Sequence, residues 1–410
     1  MAEQNTAPAL EKLSYLDYLK RIGPAFIAAS VTIGPGSATT FTMAGGSLGY
    51  QLVWLTVVLV ISAFVWQDMS VRLACGTDLT IMQLIRDNFG VIVTVIIGVY
   101  TFLTILAFET GNILGTAIAV EGLSGLDKSY WALLVAAVSC AFMLFGGYKY
   151  LEKAFMIFVL VMFVCLVGTV LTVGVDFKLL LAGLKPVLPK GSGALPFSMI
   201  GTTLTANVML GHNYLVKSKG WRLSQYTSAR FDTALSSIIL IGIIGSCFML
   251  SSAEVLWKQG IIPTDAIGMA QQIAPFAGNA AQGIFLLGLF AAGLTSAIAA
   301  PFFGITVVLD ALKLPYDMDT KIFRITYCAV VIFGGVMAAF SGNPLPLIVF
   351  VQSVGVPLLP LVGIVLFMLL RKKVATVLKP SPILTVLQGL LIVFLLASSV
   401  RYILLNWIPS

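Results

Sequence analysis

Uncharged oxygen donors dominate the positions where this chain could do chemistry. Gly34-Pro35-Gly36-Ser37 interrupts the first long apolar stretch, and Thr202, Thr205 and Asn207 disturb a later one. A Gly-Pro-Gly run removes one backbone donor and supplies two residues with no helical preference, so a helix there is expected to unwind and bare its carbonyls. Gly34 then offers a carbonyl, Ser37 a hydroxyl and a carbonyl, Thr202 and Thr205 further oxygens, and Asn207 an amide. Hard divalent cations take oxygen ligands, and Mg²⁺ sheds water reluctantly, so a neutral polar cavity could hold such an ion through its water shell. The same hydroxyls could instead bond back to carbonyls or join helices, and residue types alone leave both readings open.

Glu109 lies deep in the apolar run from Ile96 to Val120, with Asn112 and Thr116 three and seven residues on, along one helix face. A carboxylate inside a membrane is costly, which points to cation attraction or proton transfer; a structural contact with a neighbouring helix is the other reading. His212 is the only histidine, the one side chain suited to a proton relay near neutrality, although Gly211 beside it suggests close packing. Gln352, followed by Gly355, Pro357 and Pro360, marks an irregular helix that either adds an amide to a pathway or simply kinks. Arg72, Asp232 and Asp310 fall near span ends, where solvated or snorkelled charges are ordinary. No HExxH, GxSxG, P-loop or His/Cys ligand cluster occurs, so no enzyme chemistry and no resident cofactor are expected. Without a nucleotide motif, any transport is passive or driven by an ion gradient.

The elements that position these residues follow from composition. The 410 residues are 59% hydrophobic and 10% charged, with a mean hydropathy of +1.02, whereas soluble domains carry roughly 25% charged residues. An all-α integral membrane protein is expected, with the lipid bilayer as its main partner. The net charge of +7 does not indicate nucleic acid, because Lys and Arg gather in short loops between apolar runs. Residues 1–20 are polar and show no signal peptide, and the five cysteines read as small packing residues. Eleven spans are expected at 22–47, 52–75, 91–121, 131–147, 154–175, 195–216, 233–254, 280–311, 325–341, 345–370 and 383–408. The basic residues sort best with the N-terminus in the cytoplasm and the C-terminus outside a cell (inner or plasma) membrane.

The two disturbed spans are the first and the sixth, five apart, and an odd number of spans per repeat inverts the second copy. The division is then a tail (1–21), a first five-helix repeat (22–175), an inverted second repeat (195–370) and an additional eleventh helix (383–408). Interrupted spans in matching positions of two halves point to a transport site at the midplane.

Several stretches together resemble the NRAMP family of divalent-metal transporters. Ile22-Gly-Pro-Ala-Phe, Gly34-Pro-Gly-Ser37 and Ala44-Gly-Gly-Ser-Leu-Gly-Tyr50 are similar to its GPGF, DPGN and AGGxxGY. Gln67 through Gly76-Thr-Asp-Leu79 and Gly293-Leu-Thr-Ser-Ala-Ile through Gly304 match further segments in order. The resemblance implies a LeuT-like fold with discontinuous helices 1 and 6. The departures sit in the site. Gly34 and Ser37 stand where the family has Asp and Asn, and A-x-x-M-P-H becomes Thr202-x-x-Thr205-Ala206-Asn207. Glu109 and Asn112 replace the Asp and Glu of the third helix, while His212 matches the family's second histidine. Losing the carboxylate and the soft thioether removes the preference for transition metals. The pattern resembles the prokaryotic NRAMP-related magnesium transporter clade, which implies uptake of hydrated Mg²⁺, and of Mn²⁺, without proton coupling. Proton-coupled Mn²⁺ transport, a small organic solute as cargo, and a non-transporting membrane scaffold remain as alternatives, with no obligate protein partner evident.

Overall fold

A computed structural model of the chain describes residues 15–21, 23–25, 34–146, 148–372 and 378–406, and among these there are helices and no strands. A short α1 (Tyr15–Lys20) precedes α2 (Pro35–Leu48), α3 (Val53–Gly76), α4 (Ile81–Ser124), α5 (Lys128–Phe145) and α6 (Tyr148–Val173). A short α7 (Phe177–Ala182) lies in the long connection to α8 (Leu195–Thr203) and α9 (Ala206–Ser218). Next comes α10 (Tyr226–Ser236), which runs through a π-helical stretch, Ser237–Gly245, into α11 (Ser246–Val255). After α12 (Ala266–Ala270) and α13 (Ala274–Ala277) follow α14 (Ala281–Ala311), α15 (Lys321–Ala339), α16 (Pro344–Ser353), α17 (Leu359–Leu369) and α18 (Pro382–Asn406). Among the described residues nine segments are long and apolar enough to cross a bilayer. The two expected spans absent from that set are the first, which is described only in part, and the sixth, which is broken. Of the first, α2 is the second half and residues 26–33 lie outside the described set; the sixth divides into α8 and α9.

Helix ends follow local chemistry. Thr80 and Gln83 form a capping box that starts α4 well before the expected position 91, and the helix bends at Gly90, whose φ of 81° suits only glycine. The nine residues before that bend lie outside the expected span, which begins just after it. Beyond it, Ile92, Ile96, Val99 and Leu103 stay exposed as a lipid-facing stripe, while Thr101, Thr104, Glu109, Asn112 and Thr116 turn inward. The bundle is therefore apolar outside and partly polar inside, as bilayer solvent demands.

Small residues let the inner helices approach closely. A Cβ on Gly115 would lie 2.1 Å from Pro35 Cβ, and one on Gly293 would lie 2.2 Å from Thr116 Oγ1, which binds α2, α4 and α14 into one core. The irregularity expected after Gln352 is present: α16 gives way to a 3₁₀ turn before α17. Its loosened carbonyls are satisfied by side chains from other helices. Tyr100 donates to the Gly355 carbonyl at 2.7 Å and Ser399 to that of Pro357 at 2.8 Å.

The expectation that Arg72, Asp232 and Asp310 are ordinary solvated end charges is corrected. Each is buried, because its polar atoms turn to partners on neighbouring segments. Arg72 pairs with fully buried Asp68 at 2.5 Å and donates to the Leu378 and Lys379 carbonyls. Arg230 and Tyr226 reach the same Asp68 from α10. Asp310 accepts from Thr80 and Tyr214 at 2.5 and 2.6 Å. Asp232 accepts the Gly23 and Ala25 amides at 3.1 and 2.8 Å, and Lys219 donates to the Arg21 carbonyl. Asp232→Ala should therefore release the start of the first span. Hydrogen exchange of the Gly23 and Ala25 amides is expected to speed up at least tenfold, and unchanged protection would show that the carboxylate does not hold them.

Candidate functional site

The two helix breaks face each other. Gly34 is the N-cap of α2, in extended conformation, and Pro35 occupies the first helical position where its missing N–H costs nothing. Across from it, α8 ends at Thr203 and α9 restarts after Thr205. A helix that stops inside the bundle leaves its last carbonyls without intrahelical donors, and its C-terminus carries partial negative charge. Ser37 and Thr202 join the two breaks through a hydroxyl–hydroxyl bond of 2.8 Å, and one turn along Thr40 and Ser198 repeat it at 2.8 Å.

A small cavity lies beside this junction. Its polar wall is made by Asn112, Thr202, Thr205, Asn207 and Gln352, and its apolar wall includes Ile105, Phe108 and Val208. The space open to the centre of a water molecule is about 20 Å³, room for roughly one water, since one needs about 10–15 Å³. All five polar residues are buried, whereas Phe108 and Ala300 in the same lining are half-buried. Gln352 Oε1 is buried there without a hydrogen-bond partner. Glycines frame this side chain on several sides: a Cβ on Gly36 would fall 2.0 Å from Gln352 Nε2, and one on Gly111 3.1 Å from it. Gly201 packs against the Gln352 backbone carbonyl, at 2.0 Å from a built Cβ.

Of the residues expected at the site, Asn112, Thr202, Thr205, Asn207 and Gln352 share this cavity, and Ser37 adjoins it through Thr202. Asn207 Oδ1 already accepts from Thr104 at 2.9 Å, which fixes the amide in place. Gly34 sits next to the cavity, but its carbonyl accepts the Ala38 amide at 3.1 Å as the first bond of α2, not the bare carbonyl expected.

Glu109 and His212 do not line the cavity. Glu109 is fully buried on the neighbouring face of α4, against Gly334 of α15. Asn112 is near enough to interact, yet neither carboxylate oxygen has a partner at hydrogen-bonding geometry. His212 is 1% exposed with both ring nitrogens unpartnered, one turn beyond Asn207 and Val208, and Gly211 beside it is closely packed as expected, against Phe303.

Sequence reasoning missed two polar groups. Ser296 of α14 lies at the first break, with its Oγ 2.7 Å from where a Gly34 Cβ would stand. Its signal was its place in the Gly293-Leu-Thr-Ser-Ala-Ile segment that resembles the family's, which did not single it out as a site residue. Gln272, in the connection before α14, is fully buried and bonded to Thr42 and Ser251 beyond the junction. No periodicity marks it, because the connection follows no regular helix.

Similarity to known proteins agrees with this architecture. The family model described as natural resistance-associated macrophage protein-like (Nramp) matches residues 25–405. The divalent metal cation transporter MntH of Yersinia pestis (strain Pestoides F) is 29% identical over 297 residues, 71% of this chain and 72% of that protein. MntH of Klebsiella pneumoniae (strain 342) is 28% identical over 302 residues, 72% and 73% of the two chains. Among solved structures, a histidine-to-alanine mutant of the Eremococcus coleocola manganese transporter superposes with a TM-score of 0.78. It covers 99% of this chain and 92% of its own at 17% identity, a likeness that speaks to the fold alone. A multi-pass helical bundle, two breaks facing each other at its centre and a family match over nearly the whole length lead to one conclusion: the chain belongs to the Nramp family and has its LeuT-like fold.

Proposed function

We propose that this protein carries divalent cations across the cell membrane by alternating access, with Mg²⁺ as main cargo and Mn²⁺ as a second, and without proton exchange. The observation that carries this reading is the cavity wall. Among the described residues it holds hydroxyl and amide groups, with an unpartnered Gln352 Oε1, and no carboxylate, imidazole or thioether. Neutral oxygen ligands suit a hard cation and give a softer metal no advantage. The relatives' names, divalent metal cation transporter and manganese transporter, support the broader class. With the N-terminus in the cytoplasm and the C-terminus outside, the inward-negative potential favours divalent cation entry. A hydrated ion, with six oxygens at about 2.1 Å, exceeds this small cavity, so the two repeats (22–175 and 195–370) must part to admit it.

Uptake into proteoliposomes of Mg²⁺, Mn²⁺ and Ca²⁺, with internal pH followed, tests the proposal. Mg²⁺ entry at constant internal pH is the expected result. Entry of Mn²⁺ alone with acidification would favour the proton-coupled reading, for which buried, unpartnered Glu109 is the observation. No metal flux would leave a small organic solute as cargo.

Selectivity should be convertible. Gly34→Asp, Ser37→Asn and Thr205→Met together are expected to raise Mn²⁺ over Mg²⁺ uptake at least tenfold. Ser296→Gly must accompany them, because any side chain introduced at position 34 meets Ser296 Oγ. Unchanged Mg²⁺ preference in that variant would refute the site assignment.

A further inference from the structure

The central cavity and a larger inner pocket lie in line along the same two helices. On α9, Val208 lines the cavity and Gly211, Tyr214 and Leu215 line the pocket; on α14, Ala300 lines the cavity and Phe303 and Thr306 the pocket. The α9 set recurs at three- and four-residue spacing and the α14 set at three, so each runs down its helix on one side. The pocket offers about 460 Å³ to water centres, against about 20 Å³ in the cavity. Its rim carries Thr80, Lys217 and Asp317. From Val208 to Gly211, and from Ala300 to Phe303, is one step of three residues, about 4.5 Å of helix rise. One layer of side chains therefore separates the two spaces. That layer is Phe303, 7% exposed, lying on Gly211, where a Cβ would fall 2.7 Å from both Phe303 Cβ and Cδ1. Toward the first span, Asp232 accepts the Gly23 and Ala25 amides.

We propose that the cation leaves the central cavity between α9 and α14, past Phe303, into this pocket, and that Phe303 on Gly211 is the inner gate. The assignment rests on the transport reading above. An apolar ring suits the task because it denies a hydrated ion any replacement for its waters until it swings aside. Glycine at 211 is required for the ring to close the gap, since any side chain there would prop it open. In the proposed orientation the pocket opens to the cytoplasm.

Accessibility of single introduced cysteines tests the gate without relying on metal flux. A membrane-impermeant, positively charged methanethiosulfonate is applied from the cytoplasmic side of inside-out vesicles, and each site is read by peptide mass spectrometry, with the five native cysteines as internal references. Thr306→Cys should react in every background. Val208→Cys should react at least tenfold faster with Phe303→Ala than with native Phe303, and at an intermediate rate with Phe303→Leu, the milder variant should Phe303→Ala fail to fold. Equal Val208→Cys rates in all three backgrounds, or an unreactive Thr306→Cys, would overturn the proposal and move the exit to the side of the first span. Mg²⁺ uptake measured in the same preparations reports on the transport reading separately, since labelling at Phe303 variants does not require the metal.

Discussion

Gly36→Ala is expected to leave the protein folded and to lower cation uptake at least tenfold. The added methyl would stand 2.0 Å from Gln352 Nε2 and 2.4 Å from Cδ, so the amide must leave its place. The obstructing atoms are the far end of a flexible side chain, and rearrangement is possible; what is lost is the orientation of the unpartnered Oε1 in the cavity. Gln352→Ala should lower uptake to a similar level by removing that oxygen. The double variant Gly36→Ala/Gln352→Ala should be no worse than either alone, because the two changes strike one interaction and are not additive. Its thermal stability should also recover, since the clash disappears with the amide. Additive losses would show that Gly36 and Gln352 act separately. By contrast, Gly201→Ala drives a methyl into the Gln352 backbone carbonyl, where nothing can swing away, and should reduce folded yield before uptake can be measured.

Asp68→Ala is expected to be the most destabilising single change outside the site. Asp68 is fully buried, 2.5 Å from Arg72 Nε and 3.4 Å from Arg230 Nε, with Tyr226 donating at 3.2 Å. Removing the carboxylate strands the Arg72 guanidinium, which is 5% exposed, among helices α3 and α10 and residues 378–379. Truncating one partner of a buried pair costs about 3–5 kcal/mol. Thermal unfolding in detergent should show it as a drop of several degrees, while Asp68→Leu/Arg72→Met should regain much of the loss because no unpaired charge remains. A neutral Asp68→Ala would mean that Arg72 finds water or lipid headgroups instead, and that the pair does not hold this end of the bundle.

How the chain divides was legible because bilayer physics imposes a strong signal. Apolar runs of about 20 residues and a Gly-Pro-Gly in their midst can be read one residue at a time. The breaks at Gly34 and at Thr205, and the irregular helix after Gln352, follow from local backbone chemistry that no tertiary contact overrides. The early start of α4 escapes such a reading for a local reason too: its first nine residues are set apart only by the bend at Gly90.

Which oxygens meet was decided only by tertiary structure. Asn112 and Glu109 share a helix three residues apart, yet about 60° of rotation sends one to the cavity and the other against Gly334. Gln272 carries no mark in the sequence and Ser296 only its place in the Gly293-Leu-Thr-Ser-Ala-Ile segment, because their roles depend on where α14 and the preceding connection pack. Arg72, Asp232 and Asp310 look like surface charges until neighbouring helices cover them. The sequence by itself determined a broken-helix membrane bundle with neutral donors at its breaks, since those properties are local; the packing of helices 165 to 230 residues apart determined which of those donors face one space, since rotation and register are properties of the whole bundle.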